Sequence, residues 1–586
     1  MNDYSFSVNL GGMIDILSNH LYSSPGVFLR ELLQNCADAI SLRKQLDSSY
    51  SEPQIDIKVN EENSLSFSDN GAGLTEEEIH KFISVIGQSS KRGEDGGFIG
   101  RFGIGLLSCF IVTDEITLRT RSIKTPDRAY EWHGFSDGRY SVKEIKSDMP
   151  VGTEITIIAE KSYSYLFTRE KVTEIIRYYG LPIPYPVYVH TDENIKFRVN
   201  ILISENSGDE RRDILSMGKN IFGTDYDYLD YIPLNSKKGL FSGIAYILPY
   251  TVSAASKSKH RIYLKNMLLT EDGSSLLPEW AFFIQCFFNT DKLSPTASRE
   301  DFYKDSLLDE AKEELSACIS AYLEKISVKD PVMLGKLVAL HGVALKSVCA
   351  ENERLFRIFM PYFVFETSFG NLSGKELMQY KGKLFYTSDI DAFRQLRPVF
   401  AEKNELLVNS GYVHDRALLT MLSALGISDT EQMHDSLLEE LLEDAENEED
   451  FSYMLDTFNS VLYPYDCRVV LKGFSPYQLA SLYTLSSEAE LKRDINKSKE
   501  NSSGLFDSML DAFSEELDNS AFAVLYLNCE NHLIKKLSEI ADEEKLSVYA
   551  QILYVQSLIA GGFPVHSSEM NIMNQNLIKL IEWGIE

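Results

Sequence analysis

Cysteine is sparse and unpaired in this chain. Cys36, Cys109, Cys286, Cys318, Cys349, Cys467 and Cys529 are scattered, and no two form a CxxC pair. That spacing excludes a disulfide framework or a cysteine-rich zinc site and predicts reduced thiols. Positive charge is also short: 57 Lys and Arg stand against 87 Asp and Glu, for a formal net charge of −30. Such a surface repels phosphate backbones and anionic lipid, so neither nucleic acid nor a membrane is expected as the main partner. No apolar run approaches the ~20 residues that span a bilayer. The opening MNDYSFSVNL lacks the basic stretch and apolar core of a secretory leader. Internal repeats are absent too. These absences predict a cytoplasmic protein.

What is present suits a folded, multidomain chain. Apolar residues make up 44% and charged residues 25%, an ordinary balance for sizeable cores. At ~150 residues per domain the length implies several domains, divided by pattern as 1–190, 191–428 and 429–586. Helical spacing covers 11–22, and a second helix runs from about Val27 to Arg43. Alternation at Ile55, Ile57 and Val59, and at Leu65 and Phe67, predicts two adjacent strands, with TEITIIA at 153–159 another. Prolines in LPIPYPVYV (181–189) close this segment. Farther on, GIAYILPY (243–250) reads as strand and LLEELLEDAENEED (437–450) as a solvated helix end or linker. KRDINKSKENSSG (492–504) reads as a mobile loop. Two amphipathic helices finish the chain. One carries Leu546, Tyr549, Leu553 and Ile559 and stops at Gly561-Gly562; the other carries Met570, Met573, Leu577, Leu580 and Ile581. Such helices are ordinary core or a dimer seam.

Three segments carry chemistry. In FLRELLQNCADAI (28–40), Glu31, Asn35 and Asp38 fall within about 40° of one another on a helix, opposite Leu29, Leu33, Cys36 and Ile40. An Asn oxygen can complete a Mg²⁺ shell otherwise made of phosphate and water. A Glu one turn earlier can activate water for attack on a terminal phosphate. In SDNGAGLT (68–75), directly after a strand, Gly71 and Gly73 let a base approach the backbone, and Asp69 can accept a hydrogen bond from an adenine amino group. A charged acceptor makes that bond worth roughly 1.5–3 kcal/mol. In GRFGIG (100–105), Gly100, Gly103 and Gly105 precede an apolar helical run, so free backbone N–H groups face a phosphate there. Lys91, in QSSKRGEDGG, adds positive charge near it. Each segment alone is commonplace: an amphipathic helix, a turn, a glycine-rich loop, a surface lysine.

Their order and spacing, with GTE at 152–154, resemble the ATP-binding domain shared by gyrase, MutL, histidine kinases and the 90-kDa heat-shock chaperones. The chaperone family is the nearest match. YSFSVNLGGMIDILSNHLYSSPGVFLRELLQNCADAI (4–40) resembles its opening segment, and HRIYLKNMLLTEDGSSLLPEWAFFIQCFFNTDKLSPTASREDF (260–302) its middle segment, ending in Ser298-Arg299-Glu300. The resemblance implies an α+β chain: an N-terminal α/β-sandwich ATPase domain, an α/β middle domain and an α-rich C-terminal dimerisation domain. It implies that Asn35 holds Mg²⁺, Glu31 orients or activates water, Asp69 reads adenine with Thr153 beside it, and Arg299 reaches the γ-phosphate. An arginine so placed is worth about 10³–10⁵ in rate. The nucleotide-contacting set then also takes in Asp38, Gly73, Leu74, Phe102, Ile104 and Leu106. LHGVALKSVCAENERLF (340–356) and ILYVQSLIAGGF (552–563) resemble the family as well.

Departures from the family pattern concern the speed of turnover. The lid between Gly87 and Gly100 is short, Val85 and Arg101 replace an Asn and a Gln, Thr296 replaces an Asn, and Tyr303 stands where a Gln is usual. The chain ends WGIE, without the acidic pentapeptide of eukaryotic members, as a divergent bacterial-type paralogue does. The expected function is an ATP-driven chaperone working as a dimeric clamp on unfolded or partly folded clients. The competing readings are a DNA-transaction ATPase of the MutL or gyrase kind, a histidine kinase, and a scaffold that binds ATP without hydrolysing it. A DNA-transaction ATPase would be expected to carry a basic channel, against which the net charge of −30 and the middle segment argue, and Arg299 has no place in a histidine kinase.

Overall fold

The computed structural model describes residues 25–60, 63–83, 105–190, 196–200, 208–253, 255–256, 258–296, 301–485 and 523–585. Contacts divide the chain into two compact units, Met1–Lys325 and Ile326–Glu586.

The first unit opens with helix α1, Val27–Leu46. Its interior holds Leu, Arg, Glu, Gln and Ala, all good helix formers, and neither Gly nor Pro. Arg43 and Lys44 in the last turn suit the negative end of the helix dipole. Strands β1 (Ile55–Asn60) and β2 (Ser64–Asp69) pair antiparallel as the alternation predicted. With β3 (Glu115–Arg121), β4 (Ala129–Phe135), β5 (Tyr140–Ile145), β6 (Gly152–Ile158), β7 (Val187–His190) and β8 (Lys196–Arg198) they form an eight-stranded sheet in the order β5-β4-β3-β6-β2-β1-β7-β8.

Helix α1 and helix α2 (Arg169–Gly180) bury their apolar sides in the core of this sheet. Phe28, Leu29, Leu32, Leu33 and Ile40 of α1 are fully buried among Ile57, Leu65, Phe67, Ile155 and Ile176. Each such side chain contributes about 1.5–3 kcal/mol. Phe28 stacks on Phe167, with ring centroids 5.6 Å apart.

A second sheet of this unit comprises β9 (Asp230–Asn235), β10 (Ser242–Ile247), β11 (Arg261–Leu264), β12 (Met267–Thr270) and β13 (Ile284–Thr290), in the order β12-β11-β13-β10-β9. Strand β10 confirms the strand expected within 243–250. Met267 of β12 packs into the core of the first sheet, and Arg261 stacks over the Tyr178 ring at 4.4 Å.

The second unit holds a five-stranded sheet (364–432) and a four-stranded sheet (443–528), each packed with helices. Its helix α3, Pro331–Cys349, is long and apolar enough to cross a membrane by length and composition. No such segment was expected, because Lys336, His341 and Lys346 break every apolar run in it. Met333, Leu334, Leu337 and Leu345 of α3 are buried, and Lys346 donates to Asp415 at 2.5 Å. The acidic stretch 437–450 is not a linker. It finishes the helix Asp435–Leu441, and Glu443 and Asp444 then pair with Gly473 and Lys472 as an edge strand.

The last two helices are α4, Glu543–Gly561, and α5, Ser567–Ile585. Gly562, at φ 80°, caps α4 in the left-handed region where glycine costs least, as the Gly-Gly stop implied. Leu546 and Leu553 are buried, but Ile559 is exposed. The apolar residues of α5 are largely exposed, so it is not ordinary core. The helix expected over 11–22 and the loop at 492–504 lie outside the described residues.

Candidate functional site

The site grows from α1 and the strand ends beside it. A helical wheel put Glu31 and Asp38 on an outward face opposite the apolar one. Instead both faces are buried: Glu31 is 4% and Asp38 2% exposed, with Asn35 half-buried between them. A periodicity argument cannot see that the sheet and its loops cover α1 on two sides.

Arg30 lies against its neighbour, donating from Nη2 at 3.0 Å and Nε at 3.2 Å to Glu31 Oε1. The other carboxylate oxygen faces Gly105. A methyl group added there would lie 2.8 Å from Glu31 Oε2 and 3.8 Å from Asn35 Nδ2. Glu31, Asn35 and Gly105 are therefore neighbours, although 70 residues separate the last two. The run after Gly105 is a six-residue 3-10 helix, Leu106–Ile111, rather than the α-helix expected. Ser108 Oγ donates to the Gly105 carbonyl at 2.6 Å and tightens its first turn. Burial, and then the charge of Glu31, push the Cys109 thiol far above its ordinary pKa.

The second cluster sits where β2 ends. Asp69 is 8% exposed and accepts the Gly71 N–H at 2.8 Å. Burial pushes its pKa up to about 7, while hydrogen bonds from Gly71 N–H, the Cys36 thiol and Thr153 N–H, and the charge of Arg43, pull it down. Thr153 lies directly across from Asp69 in the β2–β6 register. Its hydroxyl is 3.0 Å from that of Thr120, which also accepts the Leu74 N–H at 2.9 Å and donates to the Gly152 carbonyl at 3.1 Å. Gly73 sits at φ 63°, and a methyl group there would lie 2.0 Å from the Arg121 carbonyl oxygen. Only glycine fits.

Helix α1 joins the two clusters. Cys36 follows Asn35 and reaches Asp69, and the Ala39 carbonyl accepts the Ala72 N–H at 3.0 Å. Glu31, Asn35 and Gly105 thus flank one stretch of α1, and Asp69, Gly73, Leu74 and Thr153 the next. Asp38 is on the same helix, and Leu106 packs against the core. Lys91, Gly100, Phe102, Gly103, Ile104 and Arg299, with the short lid, lie outside the described residues.

Sequence reasoning missed Cys36, Arg43 and Thr120. Cys36 projected onto the apolar face of α1, so its bond to Asp69 gave no signal. Thr120 enters only through the long-range pairing of β3 with β6. Arg43 resembled any basic residue at a helix end.

The residues fit an adenine nucleotide. Gly71, Gly73 and Gly152 bring backbone where any side chain would collide, and a buried carboxylate stands beside them. Among the described residues no His, Cys, Asp and Glu group of metal-binding size occurs.

A family profile described as histidine kinase-, DNA gyrase B- and HSP90-like ATPase matches residues 22–150, which contain both clusters apart from Thr153. The chain is 25% identical over 377 residues to the chaperone protein HtpG of Chlorobaculum tepidum, covering 59% of this chain and 60% of that protein. It thus spans well under two thirds of that relative's length. HtpG of Helicobacter pylori is similar, at 24% identity over 59% of this chain and 62% of its own. HtpG of Fusobacterium nucleatum aligns almost end to end, at 26% identity over 98% of this chain and 99% of its own. With that end-to-end relative, and an ATPase profile lying over the residues just described, the chain is similar to HtpG-type members of the 90-kDa heat-shock protein family.

Proposed function

We propose that this chain is an ATP-dependent molecular chaperone that hydrolyses ATP with Mg²⁺ and works as a homodimeric clamp on unfolded or partly folded clients. One observation carries the nucleotide reading. A buried carboxylate, Asp69, is held by the Gly71 N–H at the mouth of a turn whose glycines leave room only for backbone. Gly71 meets one carboxylate oxygen, and a further donor would offset more of the cost of burying the charge. The exocyclic amino group of adenine is such a donor.

On this reading Asp69 selects the base, and the Thr120–Thr153 hydroxyl pair holds the strand beside it. Asn35 gives its amide oxygen to the metal. Mg²⁺, when bound, neutralises phosphate charge. Glu31 takes a proton from water, with the Arg30 guanidinium on its Oε1 and its Oε2 facing Gly105. Arg299 and Lys91 complete the phosphate end as cations. The domains run 1–190, 191–428 and 429–586, and the protein works in the cytoplasm.

The chaperone reading is supported by the end-to-end match to a protein named as a chaperone. The net charge of −30 disfavours a DNA-handling role. The dimer reading is supported by α5, whose Met570, Leu577, Ile578, Ile581 and Ile585 are 40–81% exposed. An apolar stripe of that length is unfavourable in water without a partner.

Equilibrium binding of MgATP to the full chain and to Asp69→Asn tests the site. The reading requires micromolar-range binding by the first and loss of about ten-fold or more in the second, since a charge-assisted bond is removed. Equal affinity of the two would remove Asp69 from the site. Suppression of client aggregation, with and without ATP, tests the chaperone role.

A further inference from the structure

We propose that Arg43 is a positioning residue for base recognition, acting on Asp69 through the peptide bond between Asn70 and Gly71. This inference rests on the ATP reading above. Arg43 is in the last turn of α1, partly buried, with its guanidinium 4.5 Å from the centre of the Tyr50 ring. Its Nη1 donates to two carbonyl oxygens, of Asn70 at 2.7 Å and of Val151 at 3.2 Å. These two carbonyls belong to different turns. Asn70 follows the end of β2, and Val151 precedes the start of β6.

The carbonyl of Asn70 and the N–H of Gly71 belong to one planar trans peptide unit, so they point in opposite directions. Arg43 holds the carbonyl end. The N–H end, turned the other way, donates to Asp69 Oδ1 at 2.8 Å. The peptide is thus clamped between a cation and a carboxylate, and hydrogen bonds in such a chain polarise one another. Rotation of that plane would break both bonds at once.

Through Val151 the same nitrogen ties down the turn that leads into Gly152 and Thr153. Thr153 lies directly opposite Asp69 in the β2–β6 register. One side chain therefore ties the peptide that donates to the Asp69 carboxylate to the start of the strand opposite it. The remaining turn contacts do not run through the Arg43 Nη1 bonds, although Tyr50 also carries the Arg43 guanidinium on its ring. Asn70 Oδ1 accepts Tyr50 OH at 2.5 Å and the Gln54 N–H at 2.9 Å, and Asn70 Nδ2 donates to the Glu52 carbonyl at 2.6 Å. Those contacts hold the Asn70 side chain, so loss of Arg43 should loosen the peptide plane without releasing the whole turn.

The consequence is specificity. A well-aimed carboxylate accepts from the amino group of adenine and repels the carbonyl oxygen that guanine presents at the same place. A carboxylate free to swing loses affinity for adenine and part of that discrimination. Arg43 itself stays behind the peptide and has no contact with the γ-phosphate chemistry at Glu31.

The test uses the full chain, with MgATP and MgGTP as probes, measuring dissociation constants, KM and kcat for Arg43→Ala, Arg43→Gln and Arg43→Lys. Arg43→Ala is expected to weaken ATP binding and raise KM by about ten-fold, the loss of one charge-assisted bond. The ATP-over-GTP preference narrows, and kcat moves by less than about two-fold. Arg43→Lys, which keeps a cation able to donate to both carbonyls, is expected to recover most of the affinity, and neutral Arg43→Gln less. Unchanged ATP affinity and selectivity in a folded Arg43→Ala chain would overturn the proposal. So would a parallel fall in kcat, or equal values for Lys and Gln. If Arg43→Ala does not fold, the Lys and Gln variants decide; failure of all three to fold makes Arg43 a stability residue and also overturns the idea. An unsubstituted chain that binds no ATP fails the underlying reading instead, so the two failures are distinguishable.

Discussion

At the scale of single residues, two carboxylates in one domain are pushed in opposite directions. Asp69 is raised from 3.8 to about 7 because burial outweighs its hydrogen bonds. The folded state then keeps a proton that the unfolded chain releases. Its contribution to stability therefore declines as pH rises from about 4 to about 7 and is flat above. Asp69→Asn should flatten the melting temperature over that interval while abolishing tight nucleotide binding, and thermal unfolding across pH checks the first half. Because the ionised form is the better acceptor, MgATP affinity of the unsubstituted chain should fall as pH drops below about 7.

Glu131 behaves in the other sense. Lys143 at 2.6 Å and Arg119 at 2.8 Å on the neighbouring strands, and His133 at 2.8 Å on its own strand, surround it and lower it from 4.5 to about 2. The folded state holds the charge more readily, so this stabilisation is present above about pH 4.5 and is lost as pH falls toward 2. Glu131→Gln should cost about 1–2 kcal/mol near pH 7, discounted for partial exposure of its partners. In denaturant titrations the difference should vanish near pH 2, and a cost independent of pH would contradict the assignment.

At the scale of elements, α1 and the glycine turns make the site. Sequence spacing found the start of α1 at Val27 and stopped three residues short of its end at Leu46, because 20 residues without Gly or Pro and with apolar positions at helical spacing favour a helix throughout. It misjudged the environment of α1, since spacing along one helix carries no information about what covers it. The turn after β2 is a sharper case. Asp-Asn-Gly-x-Gly announces a turn, but only pairing of β3 with β6 shows why Gly73 is obligatory. Its left-handed backbone lies against Arg121. Gly73→Ala should destabilise the fold by roughly 2–4 kcal/mol, combining the unfavourable φ with the collision. Chemical denaturation measures it, and a loss below about 0.5 kcal/mol would mean that the turn relaxes freely.

At the scale of the molecule, the acidic charge and the exposed stripe on α5 are what remain to be used. Truncation near 540 is a poor probe of dimerisation, because Leu546, Ala550, Leu553 and Leu558 of α4 are core residues. Ile578→Asp together with Ile581→Asp alters side chains that are 57% and 61% exposed. Sedimentation of that variant should show a folded monomer where the unsubstituted chain is a dimer. A dimer in both would move the interface elsewhere.

Sequence alone carried the likeness of this chain to the HSP90-like ATPases, because Glu31, Asn35, Asp69 and the glycines are read by type and spacing, which are local. Tertiary structure decided how Asp69 is held. Its aim depends on Cys36, Arg43, Gly71 and Thr153, which come from a helix, a turn and a strand far apart in the chain. No local pattern encodes that convergence, since it follows from which strands pair and which peptide planes end up back to back.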